Sequence, residues 1–154
     1  MSLNKDMEVL RSIPLFAKIE PAKLKLLAFT SERLSFMADD EICREGDNGD
    51  AAYIILDGQA EVSVSTSNGP LSVATLGKND IIGEIAVLCD VPRTATVTAK
   101  TDLETLKVAK ENFFQLVTQF PQIGVQVMHE LAERLHHTTQ DLTQARARLA
   151  SLEG

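Results

Sequence analysis

No stretch of the sequence approaches the roughly 18 consecutive apolar residues of a membrane span. The N-terminus also lacks the charged, apolar and small-residue succession of a secretory signal. A cytosolic protein with no membrane contact of its own is the resulting expectation. Cysteine is scarce, with only Cys43 and Cys89 in 154 residues. Two thiols in a chain large enough to build its own core make no disulfide framework, and both read as reduced. Positive charge is short as well: 15 Lys and Arg stand against 22 Asp and Glu, a net charge of −7. Phosphate backbones are repelled on average, which argues against nucleic-acid binding by this chain.

Catalytic signatures are missing too. There is no dinucleotide or P-loop glycine pattern, and no Ser/His/Asp or Cys/His spacing marks a nucleophile. The segment His129-Glu130-Leu131-Ala132-Glu133 falls one residue short of the zinc-protease helix motif, because Glu133 stands where a second His is required. With His136 one turn further on, a carboxylate and two imidazoles share a helix face; the alternative is a solvated polar face beside a helix seam. The acidic residues Asp39, Asp40, Glu41, Glu45, Asp47 and Asp50 lack calcium-loop spacing and read as a solvated turn region. The expectation is a non-enzyme without a metal.

What is present organises itself into one domain, with 44% hydrophobic and 24% charged residues. From about 4 to 32, Val9, Leu10 and Ile13, then Leu24, Leu27 and Ala28, recur at helical spacing. Pro14 and Pro21 interrupt them, which predicts two short helices, the second with Pro21 in its first turn. From 33 to 109 the pattern changes to short β-branched runs, at Tyr53–Leu56, Ala60–Ser65, Leu71–Leu76, Thr94–Ala99 and Leu103–Val108. Asp57-Gly58 and Asn68-Gly69 supply turn signals, so the expectation is a small barrel or jelly roll rather than a parallel α/β sheet.

Residues 110 to 152 turn helical again. One helix around Phe113, Phe114, Leu116 and Val117 stops near Phe120-Pro121, and a longer one runs from about Pro121. Within it Met128, Leu131, Leu135, Thr138, Leu142, Ala145, Leu149 and Leu152 alternate by three and four, a coiled-coil seam suited to a second copy of the chain. Met1-Ser2-Leu3 and Glu153-Gly154 read like additions left by cloning, which implies a piece of a longer protein.

The most informative stretch runs from Gly83 to Ala95. Gly83 permits close backbone approach, and the apolar turn after it exposes unpaired N–H groups to an anion. Arg93 can neutralise one phosphate charge through two parallel contacts, and Glu84 can accept hydrogen bonds from sugar hydroxyls. Purely structural roles remain open here: Glu84 can favour the positive end of a short helix, and Arg93 can pair with a surface carboxylate.

The same stretch, Gly83-Glu84-Ile85-Ala86-Val87-Leu88-Cys89-Asp90-Val91-Pro92-Arg93-Thr94-Ala95, resembles the phosphate-binding cassette of cyclic-nucleotide-binding domains. That family includes the catabolite activator protein, the regulatory subunits of cyclic-AMP-dependent kinase and cyclic-nucleotide-gated channels. Arg44-Glu45-Gly46-Asp47 followed by Tyr53-Ile54-Ile55-Leu56-Asp57-Gly58 resembles the family's first β-roll signature, and Phe113 through Leu142 its B and C helices. The resemblance implies a mainly β fold with flanking α: a jelly-roll-like β-roll with N-terminal helices and C-terminal B and C helices.

It also implies that Glu84 takes the ribose 2′-hydroxyl and Arg93 the cyclic phosphate, with backbone N–H groups of Ile85, Ala86 and Ala95 completing the cradle. Thr94 can reach the phosphate or a guanine amino group, or satisfy a nearby backbone group instead. Val62 and Val73 fall where the apolar walls of the base pocket are expected. Thr138-Thr139 resembles the hydroxyl pair with which the activator protein caps adenine across its dimer; the alternative for Thr138 is a polar seam residue that sets register. Cyclic AMP is favoured over cyclic GMP on that pair. The expected partners are a cyclic nucleotide, a second copy and a fused or separate effector, with a channel or transporter among the candidates. Competing readings are a ligand-free dimerisation platform of the same fold, or the sensor half of a transcription regulator.

Overall fold

The computed structural model describes residues 3–13, 16, 17, 19–83, 87, 89 and 91–153. Two helices, α1 (Leu3–Ser12) and α2 (Pro21–Thr30), precede eight strands: β1 (Glu32–Phe36), β2 (Glu41–Cys43), β3 (Ala51–Asp57), β4 (Ala60–Thr66), β5 (Gly69–Leu76), β6 (Ile81–Ile82), β7 (Thr96–Ala99) and β8 (Leu103–Ala109). Helices α3 (Lys110–Gln119) and α4 (Pro121–Glu153) follow. The strands form two antiparallel sheets, ordered β1-β8-β3-β6 and β2-β7-β4-β5. This is the β-roll with helices at both ends that the sequence predicts.

Strand β3 explains how the two halves of the core are joined. Ala51 through Ile55 are all buried, the continuous apolar run of a strand covered on both faces rather than an alternating one. Its two-residue period sends Ile54 into a helix-facing core with Leu10, Leu24, Leu27, Leu106, Phe113 and Ile123. Ala51, Tyr53 and Ile55 go the other way, to meet Ala60, Ile82, Val97 and Leu103 between the sheets. Pro21 sits at the start of α2, where a missing N–H costs nothing, and Leu24, Leu27 and Ala28 turn inward as the periodicity predicts. The predicted turns hold: Gly58 and Gly69 take φ of +99° and +100°, which glycine adopts without a Cβ penalty.

Sequence periodicity did not reveal β1, β2 and β6. Two are very short, and β1 reads Glu-Arg-Leu-Ser-Phe with no β-branched residue, so pairing with β8, β7 and β3 respectively defines β1, β2 and β6 rather than local propensity. Strand β7 begins at Thr96, two residues later than predicted.

Helix α3 ends where expected, with the Phe120 N–H donating to the Leu116 carbonyl. Ile123 and Val127 of α4 are buried against the helix-facing core, and Leu131 packs on it half-buried. The predicted seam is therefore divided: Leu131 is partly used by the chain's own core, whereas Met128, Leu135, Leu142 and Leu149 are 53–66% exposed. Every residue from Ala132 to Glu153 is solvent-exposed.

Candidate functional site

Arg93 is 7% exposed, and with Thr105 it is one of two buried polar side chains among the described residues. Its guanidinium donates from Nη2 to the Ala51 carbonyl at 2.7 Å and from Nη1 to the Gly83 carbonyl at 3.2 Å. Both acceptors are neutral. Among the described residues no carboxylate lies within ion-pair distance of it, so within them its charge has no compensating partner. A buried charge in that condition is costly unless an anion joins it.

The main chain around Arg93 is held firmly. Its N–H donates to the Asp47 carbonyl at 2.7 Å, and the Gly46 N–H donates to the Arg93 carbonyl at 2.9 Å. Gly46 has φ of +91°, so the Arg44-Glu45-Gly46-Asp47 signature is the turn that brackets the arginine. That turn is tied in its own right: the Glu45 N–H donates to Thr96 Oγ1 and the Ser65 N–H to Glu45 Oε1, both at 3.0 Å. Gly83, at φ +81°, lets its carbonyl face the guanidinium; a Cβ there would fall onto Arg93 Nη1.

Beside these groups lies a cavity of about 220 Å³ lined by Cys43, Val62, Leu76, Ile81, Ile82, Gly83, Arg93, Thr94, Ala95 and Val97. Of the residues singled out from sequence, Gly83, Arg93, Thr94, Ala95 and Val62 are thus brought together. Val73 is not. Val62 pairs with Ala74 and Ser63 with Ser72, which leaves Val73 as the extra residue of a β-bulge on the edge strand β5, 52% exposed. Leu76 takes its place in the wall. Glu84, Ile85 and Ala86 lie outside the described residues. Thr138 and Thr139 are exposed on α4 and do not line the cavity; the Thr138 hydroxyl donates to the Arg134 carbonyl at 2.9 Å.

Cys43, Leu76, Ile81, Ile82 and Val97 are wall residues that sequence reasoning missed. Leu76 and Val97 had a usable signal, since each lies in a predicted strand. Cys43 belongs to β2, which had none. Burial pushes the Cys43 thiol up, with nearby Arg93 drawing it partly back; burial likewise raises the Tyr53 phenol. Two results are expected. A thiol reagent modifies exposed Cys89 rapidly and buried Cys43 only on unfolding. Above about pH 8.5, where an unfolded thiol ionises, stability falls, because the folded state retains a proton that the unfolded state releases. Thiol counting and urea melts across that range check both, and rapid modification of two thiols in the native state would contradict the first.

On α4, His129 Nε2 and Glu133 Oε1 lie 3.1 Å apart and exposed. Among the described residues no three His, Cys, Asp or Glu side chains converge as a metal site, and no helix is long and apolar enough to cross a membrane.

The molecule is a β-roll module with a buried arginine in the wall of a small, mainly apolar cavity. A family model described as "Cyclic nucleotide-binding domain" matches residues 33–120, more than half of the sequence. The chain belongs to that family. It is 33% identical over 108 residues to a cAMP-dependent protein kinase regulatory subunit of Emericella nidulans, covering 70% of this chain and 26% of that protein. Over 136 residues it is 26% identical to a CRP-like cAMP-activated global transcriptional regulator of Mycobacterium tuberculosis, covering 88% and 61%. The regulatory domain of Toxoplasma gondii PKA, solved with cAMP, superposes with a TM-score of 0.72 at 25% identity, covering 74% of this chain and 44% of that one. The chain thus spans about a quarter of the length of the kinase subunits it matches. These relatives are regulatory proteins.

Proposed function

We propose that this chain is the sensor module of a cytoplasmic regulatory protein, binding a cyclic nucleotide in the β-roll cavity and relaying its presence through α4. Cyclic AMP is the favoured ligand, in keeping with the cAMP named for the relatives. Arg93 takes the cyclic phosphate, Glu84 the ribose 2′-hydroxyl, and backbone N–H groups of Ile85, Ala86 and Ala95 the remaining phosphate oxygens. Thr94 lines the same cavity and offers a hydroxyl to phosphate or base. Val62, with Leu76 and Val97, supplies apolar wall. The observation that carries this reading is the buried Arg93 guanidinium in the cavity wall, whose hydrogen-bond partners among the described residues are two neutral carbonyls.

In the proposed mechanism, the chain pairs with a second copy through α4, and Thr138-Thr139 closes over the base. Occupancy shifts the population of α4 positions by the ligand's differential affinity for them, a coupling of typically 1–3 kcal/mol. The protein itself performs no chemistry on the ligand; the output belongs to an attached domain or a partner.

Calorimetric titration of nucleotide-free protein with cyclic AMP, cyclic GMP and linear AMP tests this. Micromolar or tighter binding of a cyclic form, cyclic AMP above cyclic GMP, is the expected result. Folded, empty protein that binds neither cyclic form would overturn it.

A further inference from the structure

The ladder between β4 and β7 stops short. It pairs Ala60 with Ala99, Glu61 with Thr98, Val62 with Val97 and Ser63 with Thr96, and goes no further. Two residues on, the same register would set Ser65 opposite Thr94. Strand β4 does continue, through Thr66, with Ser65 opposite Pro70 of β5 on its other side. Alternation along the strand gives the Ser65 N–H the same direction as those of Glu61 and Ser63. Where a longer β7 would offer a carbonyl, that N–H donates to Glu45 Oε1 at 3.0 Å.

The main chain of Glu45 holds the start of β7 as well, its N–H donating to Thr96 Oγ1 at 3.0 Å. The next two residues grip Arg93: the Gly46 N–H donates to its carbonyl and its N–H donates to the Asp47 carbonyl. Arg93 by its main chain and Thr96 by its side chain are thus held by the 45–47 turn. Between them Thr94 and Ala95 leave the sheet and, with Arg93, line the cavity. An unpaired N–H at a strand edge is a template for further pairing, here with Thr94. The Glu45 carboxylate fills that place, and an ionised acceptor binds an N–H more strongly than a neutral carbonyl does.

We infer that Glu45 is a positioning residue for the nucleotide site: its carboxylate stands in for the missing end of β7 beside β4, and so keeps Arg93, Thr94 and Ala95 turned into the cavity. The inference rests on the proposed function and adds a residue that acts from outside the cavity. Glu45 is exposed and does not line the cavity, so its effect on binding passes through the segment it holds. Charge alone has the opposite sign. Taking a carboxylate from the neighbourhood of an anion site strengthens phosphate binding, whereas losing the hydrogen bond to Ser65 weakens it.

Calorimetry with cyclic AMP on the wild type, Glu45→Ala and Glu45→Gln tests this. Both variants lose the same charge, but only glutamine keeps a side-chain oxygen of the same reach. Glu45→Ala is expected to weaken binding about tenfold, and Glu45→Gln to return it to within about threefold of wild type. Amide hydrogen exchange on the empty proteins supplies a readout that needs no ligand. The Ser65 N–H is expected to be protected in wild type and Glu45→Gln and to exchange freely in Glu45→Ala, with the Gly46 and Arg93 N–H groups loosened alongside it. Wild-type affinity in Glu45→Ala overturns the inference and leaves the sensor reading intact. Equal changes of affinity in the two variants, of either sign, trace the effect to charge and overturn it too. Wild-type protein that is folded and empty yet binds no cyclic nucleotide, whatever its Ser65 exchange, overturns the sensor reading and the positioning role with it.

Discussion

Replacing Arg93 with alanine is expected to weaken cyclic nucleotide binding by about 2–5 kcal/mol, the range for removing one member of a buried charge pair. Stability of the empty protein should change far less, because two effects oppose each other. Truncation leaves the Ala51 and Gly83 carbonyls without their donors, at roughly 1–3 kcal/mol for a buried unsatisfied group. It also removes a buried charge that no carboxylate of the described residues offsets. Calorimetry alongside urea melts separates binding from folding. Arg93→Lys retains the charge and loses the planar fork, so an intermediate affinity is expected. Wild-type affinity in Arg93→Ala would remove the guanidinium from the proposed phosphate site.

The second large effect belongs to Gly83→Ala. A left-handed backbone at φ +81° costs a residue with a Cβ about 1–2 kcal/mol, and here the methyl would also fall onto the Arg93 guanidinium. The side chain must move off its two carbonyls, so binding is expected to drop about tenfold or more, equivalent to roughly 1.4 kcal/mol. The loss should pass through Arg93. In an Arg93→Ala background, adding Gly83→Ala should cost little further affinity, since contacting residues are non-additive. Equal losses in both backgrounds would mean that Gly83 acts on the ligand by another route.

How much was legible before the fold depended on where the information resides. The Gly83 to Ala95 stretch and the Arg44-Glu45-Gly46-Asp47 turn are contiguous, so their family resemblance could be read directly. That the turn grips Arg93 through two backbone hydrogen bonds could not, because backbone pairing between distant segments leaves no trace in residue type. Val73 shows the limit of counting along a strand. A two-residue period predicts which face a residue takes only while pairing is regular, and the bulge opposite Val62 and Ser63 breaks it. Cys43 escaped notice because β2 is three residues long, too short for any periodicity to show. The seam on α4 was visible from spacing alone, yet spacing does not say that Leu131 is shared with the chain's own core. That depends on how closely the first turns of the helix approach β3, β8 and α3.

In the proposed relay, the mounting of α4 determines how far a motion near the cavity is carried. Its 33 residues extend for about 50 Å, and the side chains it contributes to the hydrophobic core among the described residues, Ile123, Val127 and Leu131, all lie within the first third. The remainder is a cantilever. A tilt at Phe120 too small to disturb the packed turns sweeps the far end through an arc several times larger. In that proposed relay, distance from the pivot sets the gain between the cavity and the far end of the helix.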